Sequence, residues 1–222
     1  MDDYVVKVKE KKGDDMMASV DQIVDSIVKT LRDRLFIEVE ASGRHIHLSR
    51  QDIDILFGTG HELTRVKDLS QPGQFACAER VTITGPKGSL KNVVVLGPER
   101  KASQVEVSLT DALALGIKAP IRQSGDIEGT PEITISNGDK QVQLKQGLIV
   151  AKRHMHITPE DAIKFNVTDG EIVKVKVFGQ RPLIFDDLVV RVSKDFRTYL
   201  HIDYDEANAC GFTKGTLGMI IK

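Results

Sequence analysis

The sequence lacks an excess of charge of either sign, because its 222 residues include 31 Lys and Arg against 32 Asp and Glu. Such a balance produces no long-range field that would attract nucleic acid or a membrane surface. No apolar run approaches the ~20 residues of a membrane span. The N-terminus lacks the apolar segment of a secretory signal. These absences predict a soluble cytoplasmic protein that binds neither nucleic acid nor membrane.

Cysteine is also scarce, since Cys77 and Cys210 are the only two in the chain and lie far apart. A pair without C-x-x-C spacing predicts reduced, buried thiols rather than a disulfide or a pair of metal ligands. The glycine-rich phosphate loops of Walker and Rossmann type are absent, and so is the G-x-S-x-G serine elbow. No serine or cysteine is therefore placed by the sequence as a covalent nucleophile.

What the chain does contain is a repeated histidine pair. On a β-strand, residues i and i+2 point to the same face, so a His-x-His motif directs two imidazoles to one spot. A single copy would be equally consistent with coincidence or a surface strand, but two copies with the same preceding arginine predict metal binding. Four of the six histidines stand in these copies, Arg44-His45-Ile46-His47 and Arg153-His154-Met155-His156.

The N-terminal region divides into two parts. Residues 1–17 are charged and rich in Asp and Lys, which predicts a poorly ordered segment. Residues 20–35 place Val, Ile and Leu at helical spacing, which predicts an amphipathic helix. Its apolar face has two interpretations that the sequence leaves open: packing on its own domain or across a dimer, and docking on a partner protein.

The remaining chain is predicted to be mainly β with short helices. Short apolar strands follow one another at close spacing and are separated by dipeptides such as Asn-Gly, Asp-Gly and Lys-Gly. One of them, residues 36–40, leads directly into the first histidine pair. This spacing favours barrels or sandwiches over a parallel α/β sheet.

A helix-start signal follows each histidine pair and occurs four times in all. In each copy a candidate ligand is followed by an apolar residue, then by Ser, Thr or Asp, and three residues later by an acid. The Ser, Thr or Asp residue is of the type preferred at the N-cap of a short helix, and the acid is of the type preferred at position N3. The candidate ligands are His47, Glu106, His156 and His201; the N-caps are Ser49, Ser108, Thr158 and Asp203; the N3 acids are Asp52, Asp111, Asp161 and Glu206.

The order of these signals predicts two metal-binding triads. One is His45, His47 and Glu106, and the other is His154, His156 and His201. Sets of three His or two His and one Glu are typical of catalytic zinc, in which a fourth position stays open. The alternative is that the frame is only a strand-to-helix turn, with the ligand position filled by chance. His61 lies outside the frame and is left unassigned.

Several cations and a hydroxyl stand in loops near the predicted triads. Arg100 lies six residues before Glu106, Lys67 precedes a Pro-Gly turn, and Ser124 lies in the segment Arg122-Gln123-Ser124-Gly125-Asp126. These groups are suited to hold an oxyanion, although each is equally consistent with a solvated surface group. From the residues alone, the interpretation is a metal-dependent transferase or hydrolase of an oxyanionic substrate.

A larger set of motifs carries a resemblance over residues 39–222. They are RHIHLS (44–49), LSQPGQFA (69–76), LGPER (96–100), QVEV (104–107), RQSG (122–125), RHMH (153–156) and the region of His201. In these motifs the chain resembles the PduL-type phosphotransacylases, the phosphate propanoyltransferase family of propanediol utilisation. The resemblance implies two small β-barrels with helical caps, the first discontinuous (residues 36–43 plus 152–222) and the second formed by residues 44–151. Residues 1–35 would be an extension with an amphipathic helix.

The resemblance also implies an activity and a set of roles. It implies two Zn²⁺ per protomer, with other divalent metals as alternatives, at which propanoyl-CoA or acetyl-CoA plus phosphate is interconverted with acyl phosphate plus CoA by direct transfer. One zinc would be held by His45, His47 and Glu106, and the other by His154, His156 and His201. Arg100 would bind phosphate and steady the transition state. Ser42, Lys67 and Ser124 would contact CoA or phosphate.

The same resemblance implies partners. Family members are dimers, so a homodimer is expected, and those housed in bacterial microcompartments carry an N-terminal helix that would contact shell or cargo proteins. Two alternatives remain at this point: a dinuclear hydrolase of an ester or phosphate, and a non-catalytic metal-binding scaffold. The hydrolase would turn over without CoA, and the scaffold would not turn over at all.

Overall fold

The computed structural model describes residues 12–221, with side chains described from residue 20 onward. Its first element, α1 (Lys12–Leu35), belongs to a compact unit of its own. The helix predicted for residues 20–35 is confirmed, and its apolar side chains are about half exposed, from 47% at Leu35 to 57% at Val28. No helix among the described residues is long and apolar enough to cross a membrane.

The helix begins earlier than its apolar stripe. Residues 12–17 are helical, although the sequence predicts poor order there. Met16, Met17 and Ala18 have high helix propensity, which extends the helix towards the N-terminus. The rest of the segment predicted to be poorly ordered, residues 1–11, lies outside the described residues.

The second compact unit, Ile37–Lys222, is mainly β, as predicted. Its helices have seven or eight residues each: α2 (Arg50–Phe57), α3 (Leu109–Leu115), α4 (Pro159–Phe165) and α5 (Tyr204–Cys210). Its strands are β1 (Ile37–Ser42), β2 (His45–His47), β3 (Arg65–Asp68), β4 (Phe75–Thr84), β5 (Ser89–Gly97), β6 (Gln104–Val107), β7 (Ile121–Arg122), β8 (Ile133–Asn137), β9 (Lys140–Leu144), β10 (Leu148–Ala151), β11 (His154–Ile157), β12 (Ile172–Val177), β13 (Leu183–Val192), β14 (Tyr199–Asp203) and β15 (Leu217–Ile221).

Six of these strands close into a barrel in the order β1-β14-β11-β13-β12-β15. Alternation along each strand places the apolar residues inside, since Val173, Val175 and Val177 of β12 are buried whereas Lys174 is exposed. Each fully buried side chain of this size stabilises the fold by ~1.5–3 kcal/mol. The barrel therefore has a core of its own, which Met155 and other residues complete.

The other strands form a half-barrel sheet in the order β7-β10-β6-β2-β5-β4-β8-β9, with β3 paired to β4. Its core is separate and includes the fully buried side chains of Ile46, Val95 and Ile135. A mainly β fold with short helices and barrel architecture is thus confirmed. Both sheets lie in one compact unit, so the domain boundaries (residues 36–43 plus 152–222, and 44–151) stay a proposal, which the two cores support.

The two sheets repeat one arrangement of strands. β2 is antiparallel to β6 and parallel to β5, just as β11 is antiparallel to β14 and parallel to β13. β10 adds to β6 in parallel, as β1 adds to β14. Since β1 leads into β2 and β10 leads into β11, each strand that carries a histidine pair is preceded by a strand of the other sheet.

The predicted helix starts are also present. Each N-cap side chain, on Ser49, Ser108, Thr158 and Asp203, accepts a hydrogen bond from the backbone N–H of the N3 residue. Satisfying these otherwise unpaired donors fixes the point where each short helix begins, and with it the end of the preceding strand. The helices end at the C-cap residues Gly58, Gly116, Asn166 and Gly211, of which the last three have the left-handed backbone conformation that Gly and Asn tolerate.

Candidate metal centre

The first histidine pair lies on β2, opposite β6. His45 is paired with Glu106 in the antiparallel register, and His47 follows on the same face of the strand. One ligand atom from each of these three residues lies within 4.8 Å of the other two. None of the three residues is more than 8% exposed. The structure therefore brings together the first triad that the sequence order predicts.

The second pair lies on β11 and forms a triad in the same way. His154 is paired with His201 of β14, and one ligand atom from each of His154, His156 and His201 lies within 4.8 Å of the others. His156 and His201 are buried, whereas His154 is partly exposed. In both triads the third ligand lies directly opposite the first histidine, so the strand register itself sets the ligand geometry.

Backbone carbonyls orient the first histidine of each triad. The Nδ1 atom of His45 lies 2.8 Å from the carbonyl oxygen of Gly43, and that of His154 lies 2.9 Å from the carbonyl oxygen of Lys152. A ring that donates from Nδ1 presents the lone pair of Nε2 on its other side. The two rings are therefore fixed in the tautomer that a metal requires.

The remaining ring nitrogens show that the donor sets fit a cation. His47 Nδ1 is buried and has no hydrogen-bond partner among the described residues. His156 Nδ1 and His201 Nε2 lie 3.2 Å apart. Burial lowers the pKa of His47 and of His156 to about 3, and that of His201 well below its ordinary value. Close, unprotonated nitrogens of this kind are stabilised by a divalent metal such as zinc.

Glu106 is held in its ionised form. Burial raises the pKa of its carboxyl group, but the nearby His45 and the Ser124 hydroxyl outweigh burial and hold that pKa well below its usual range. Its Oε1 atom accepts from Gln104 Nε2 at 2.5 Å and from Ser124 Oγ at 2.8 Å. Its Oε2 atom lies 3.5 Å from His45 Nε2 and is free to serve as a ligand.

His201 has a carboxylate behind it rather than in the triad. Glu40 of β1 lies beside His201 in the parallel register, and its Oε2 atom is 3.5 Å from His201 Nδ1. The same oxygen accepts a hydrogen bond from the Ser70 hydroxyl. Gln71 Nε2 lies 3.4 Å from His201 Nε2 and donates to the Arg197 carbonyl oxygen at 3.1 Å. The loop that begins at residue 69 thus supports the second triad.

Both triads open on one cleft of about 570 Å³. Arg100 and Arg191 line it, and neither guanidinium group has a carboxylate within ion-pair distance among the side chains that the structure describes, residues 20–221. Arg100 Nη1 donates to Ser124 Oγ at 3.1 Å, and the Arg191 guanidinium lies 5.7 Å from the Phe196 ring centre. Burial lowers the pKa of both arginines. A cleft with two partly buried, unpaired cations is suited to an anionic ligand.

The other predicted site residues also lie at this cleft. Ser42 and Lys67 line it, and Ser124 connects Arg100 to Glu106 through its hydroxyl group. Two other residues that the sequence analysis names, Arg122 and His61, do not line the cleft. Arg122 is exposed and pairs with Asp126 at 3.2 Å, and His61 bonds Glu79 at 2.8 Å outside the residues that line the cleft.

Sequence reasoning missed four residues of the site: Glu40, Gln71, Gln104 and Arg191. Arg191 lies on β13 beside His156 of β11, in a parallel register between strands distant in sequence. Gln104 lies inside the QVEV motif, two residues before Glu106, where the alternation of a strand places it on the same face. That alternation could have identified Gln104, whereas nothing local marks Arg191.

The chain is similar to known proteins over most of its length. The family model described as phosphate propanoyltransferase matches residues 38–213. The phosphate propanoyltransferase of Clostridioides difficile (strain 630) is 66% identical over 203 residues, which are 91% of this chain and 97% of that protein. That of Enterococcus faecalis is 63% identical over 206 residues (92% and 98%), and that of Salmonella typhimurium is 47% identical over 194 residues (86% and 92%).

Proposed function

Because the chain belongs to the phosphate propanoyltransferase family and is a phosphate acyltransferase, we propose that its cleft interconverts propanoyl-CoA or acetyl-CoA plus phosphate with acyl phosphate plus CoA. The observation that carries this proposal is the convergence of two triads and Arg100 on one cleft. A cleft of this volume is of the size that proteins use for small-molecule ligands. Both substrates are anionic, which suits the unpaired arginines.

We propose that each triad holds one Zn²⁺, so that each protomer carries two, with another divalent metal as the alternative. When bound, such metals would stabilise the sulfur of CoA as a thiolate and neutralise phosphate oxygens. Three protein ligands per metal leave a position for substrate, whereas a structural zinc is closed by four. The non-catalytic scaffold is therefore the weaker alternative.

The residues around the triads would bind and orient the two substrates. Arg100 is placed to bind phosphate, because its guanidinium group lies beside Ser124 and has no carboxylate partner among the described side chains. Arg191 is a second cation on the side of His156. Charge that develops on the transferred group would be stabilised between them. Ser42 and Lys67 also line the cleft and would contact CoA or phosphate.

We propose direct transfer in a ternary complex: a phosphate oxygen bonds to the thioester carbonyl carbon as the carbon–sulfur bond breaks, and CoA leaves as its thiolate. The two cysteines are buried, and burial raises the pKa of the Cys77 thiol to about 11. Ser124 donates to Glu106, a carboxylate whose pKa is too low for it to act as a base. Neither the two cysteines nor Ser124 is thus set up to carry the acyl group.

The proposal is tested by the release of CoA from propanoyl-CoA and acetyl-CoA with and without phosphate, before and after chelation. We expect release that requires phosphate, yields acyl phosphate and is lost on chelation. Release without phosphate would instead identify the hydrolase, and no release at all would identify the scaffold. An acylated protein detected by mass spectrometry in a single turnover would contradict direct transfer.

Two further proposals concern partners. We propose that the enzyme is a homodimer, which size-exclusion chromatography with light scattering checks. We also propose that the apolar face of α1, which is about half exposed, contacts shell or cargo proteins of a bacterial microcompartment. A reporter fused to residues 1–35 should then enter shells, and a fusion with Ile23 and Ile27 changed to Asp should not.

A further inference from the structure

The arginine that opens each Arg-His-x-His motif makes the same kind of contact in both sheets. Arg44 binds Asp111 with two nitrogens, Nε at 3.0 Å and Nη2 at 2.7 Å. Arg153 Nε binds Glu206 Oε1 at 2.6 Å. Neither arginine is a metal ligand, so the motif contains a group whose role the metal does not explain.

The two acids occupy equivalent positions. Asp111 is the N3 residue of α3, the helix that follows Glu106, and Glu206 is the N3 residue of α5, the helix that follows His201. Both also close complete capping boxes. Each arginine therefore joins the strand that carries two ligands of a triad to the helix that follows the third ligand.

Each triad has a second contact, which joins the helix after the histidine pair to the segment before the third ligand. Asp52, the N3 residue of α2, accepts a hydrogen bond from the Ser103 hydroxyl, and Asp161, the N3 residue of α4, accepts one from Thr198 Oγ1 at 2.5 Å. Ser103 lies three residues before Glu106, and Thr198 lies three residues before His201. Each triad is thus held between two crossed contacts, one before and one after its third ligand.

We propose that Arg44 and Arg153 are positioning residues, each of which fixes the third ligand of its own triad against the histidine pair. Metal affinity requires ligand geometry to be held tightly, and groups outside the ligand set supply that constraint. The alternative is that the arginines only stabilise the helices. The two possibilities differ because a positioning role acts on one triad at a time.

The test isolates each triad in the full-length protein. His156→Ala leaves the first triad intact and His47→Ala leaves the second, and metal affinity is measured in both by competition with a chromophoric chelator. In the His156→Ala protein we expect Arg44→Gln to weaken the remaining site ~10- to 100-fold, the range seen for supporting groups of metal ligands, and Arg153→Gln to have no effect. In the His47→Ala protein we expect the reverse.

The control is Lys164→Gln, which removes a contact of 3.3 Å to the N3 acid Asp161 that does not join the two ligand strands. This variant should leave both affinities unchanged. Equal weakening of both sites by either arginine variant, or a lower melting temperature of the chelated protein with no change in affinity, would overturn the proposal. If Arg44→Gln does not fold, Arg44→Lys, which keeps the charge but not the two-nitrogen contact, supplies the same comparison.

The inference rests on the proposed occupancy of the triads by metal but not on turnover. A wild-type protein that binds no metal would contradict the proposed function. Metal binding whose affinity is unchanged by substitution of Arg44 and of Arg153 would contradict only the positioning role.

Discussion

The first triad carries a carboxylate as its third ligand, whereas the second carries His201 with the carboxylate of Glu40 behind it. The register is the same in both, since the third ligand faces the first histidine across an antiparallel pair of strands. The first ligand set carries one more negative charge than the second. A metal in the second triad would therefore keep more of its positive charge. This difference predicts unlike roles at two sites of the same construction.

The surroundings of the triads differ in the same sense. Glu106 accepts hydrogen bonds from Gln104 and Ser124, and Ser124 accepts one from Arg100, so the first triad is connected to a cation that lines the cleft. The second triad is supported by Ser70 through Glu40. A repeated scaffold can therefore carry two different chemical environments, because only the groups outside the repeat need to change.

The largest effect is expected from the loss of one ligand in either triad. His47→Ala and His156→Ala should each lower kcat/KM at least ~10³-fold, or ~4 kcal/mol of transition-state stabilisation. Each variant should also lose one metal per protomer, measured by plasma mass spectrometry after dialysis. Full activity with a single metal would show that only one triad takes part.

Substitution of Arg100 and of Arg191 tests whether the two sides of the cleft differ in function as the two triads do. Arg100→Ala should lower kcat/KM for phosphate ~10²- to 10³-fold, as expected for a group that stabilises developing charge. Arg191→Ala should lower it less, because Arg191 lies beside His156 rather than next to Glu106. Initial rates at varied phosphate and acyl-CoA separate the two effects. Equal losses of kcat/KM in the two variants would indicate that both arginines bind the same phosphate.

Exchanging the third ligands tests directly whether the charge difference between the two triads has a function. Glu106→His should lower kcat/KM ~10²-fold, because Gln104 and Ser124 would lose their shared acceptor and a buried unpaired donor costs ~1–3 kcal/mol. The metal content should stay at two, since three histidines remain a complete ligand set. Wild-type kinetics in this variant would mean that the charge difference between the triads has no function. The matched exchange in the second triad is His201→Glu.

The smallest effect is expected from Glu40→Gln. Removing the charge behind His201 should weaken metal binding at the second triad ~10-fold and leave the first triad unchanged, because the carboxylate contacts His201 and Ser70, neither of which belongs to the first triad. Chelator competition in the His47→Ala background measures the affected site alone. The same substitution in the His156→Ala background is the control.

The two groups of residues that could hold a metal ion could be predicted from the sequence because their signals are local. Capping chemistry marks the end of each ligand strand within six residues, so His47, Glu106, His156 and His201 are identified without knowledge of the sheets. Glu40 and Arg191 could not be identified in this way. They reach the site through parallel registers, β1 with β14 and β13 with β11, between segments far apart in sequence. Those pairings depend on packing of the whole unit.

The exchange of β1 and β10 between the sheets has a consequence for synthesis of the chain. β1 at residues 37–42 pairs with β14 and β15, which are synthesised long after it. A nascent chain therefore carries β1 without these partners until residues 199–221 have been made, and native contacts between such distant segments form slowly. Cutting the gene between residues 151 and 154 would also not yield two self-sufficient halves, because the first half would retain β1, which the barrel formed by the strands of the second half needs for closure.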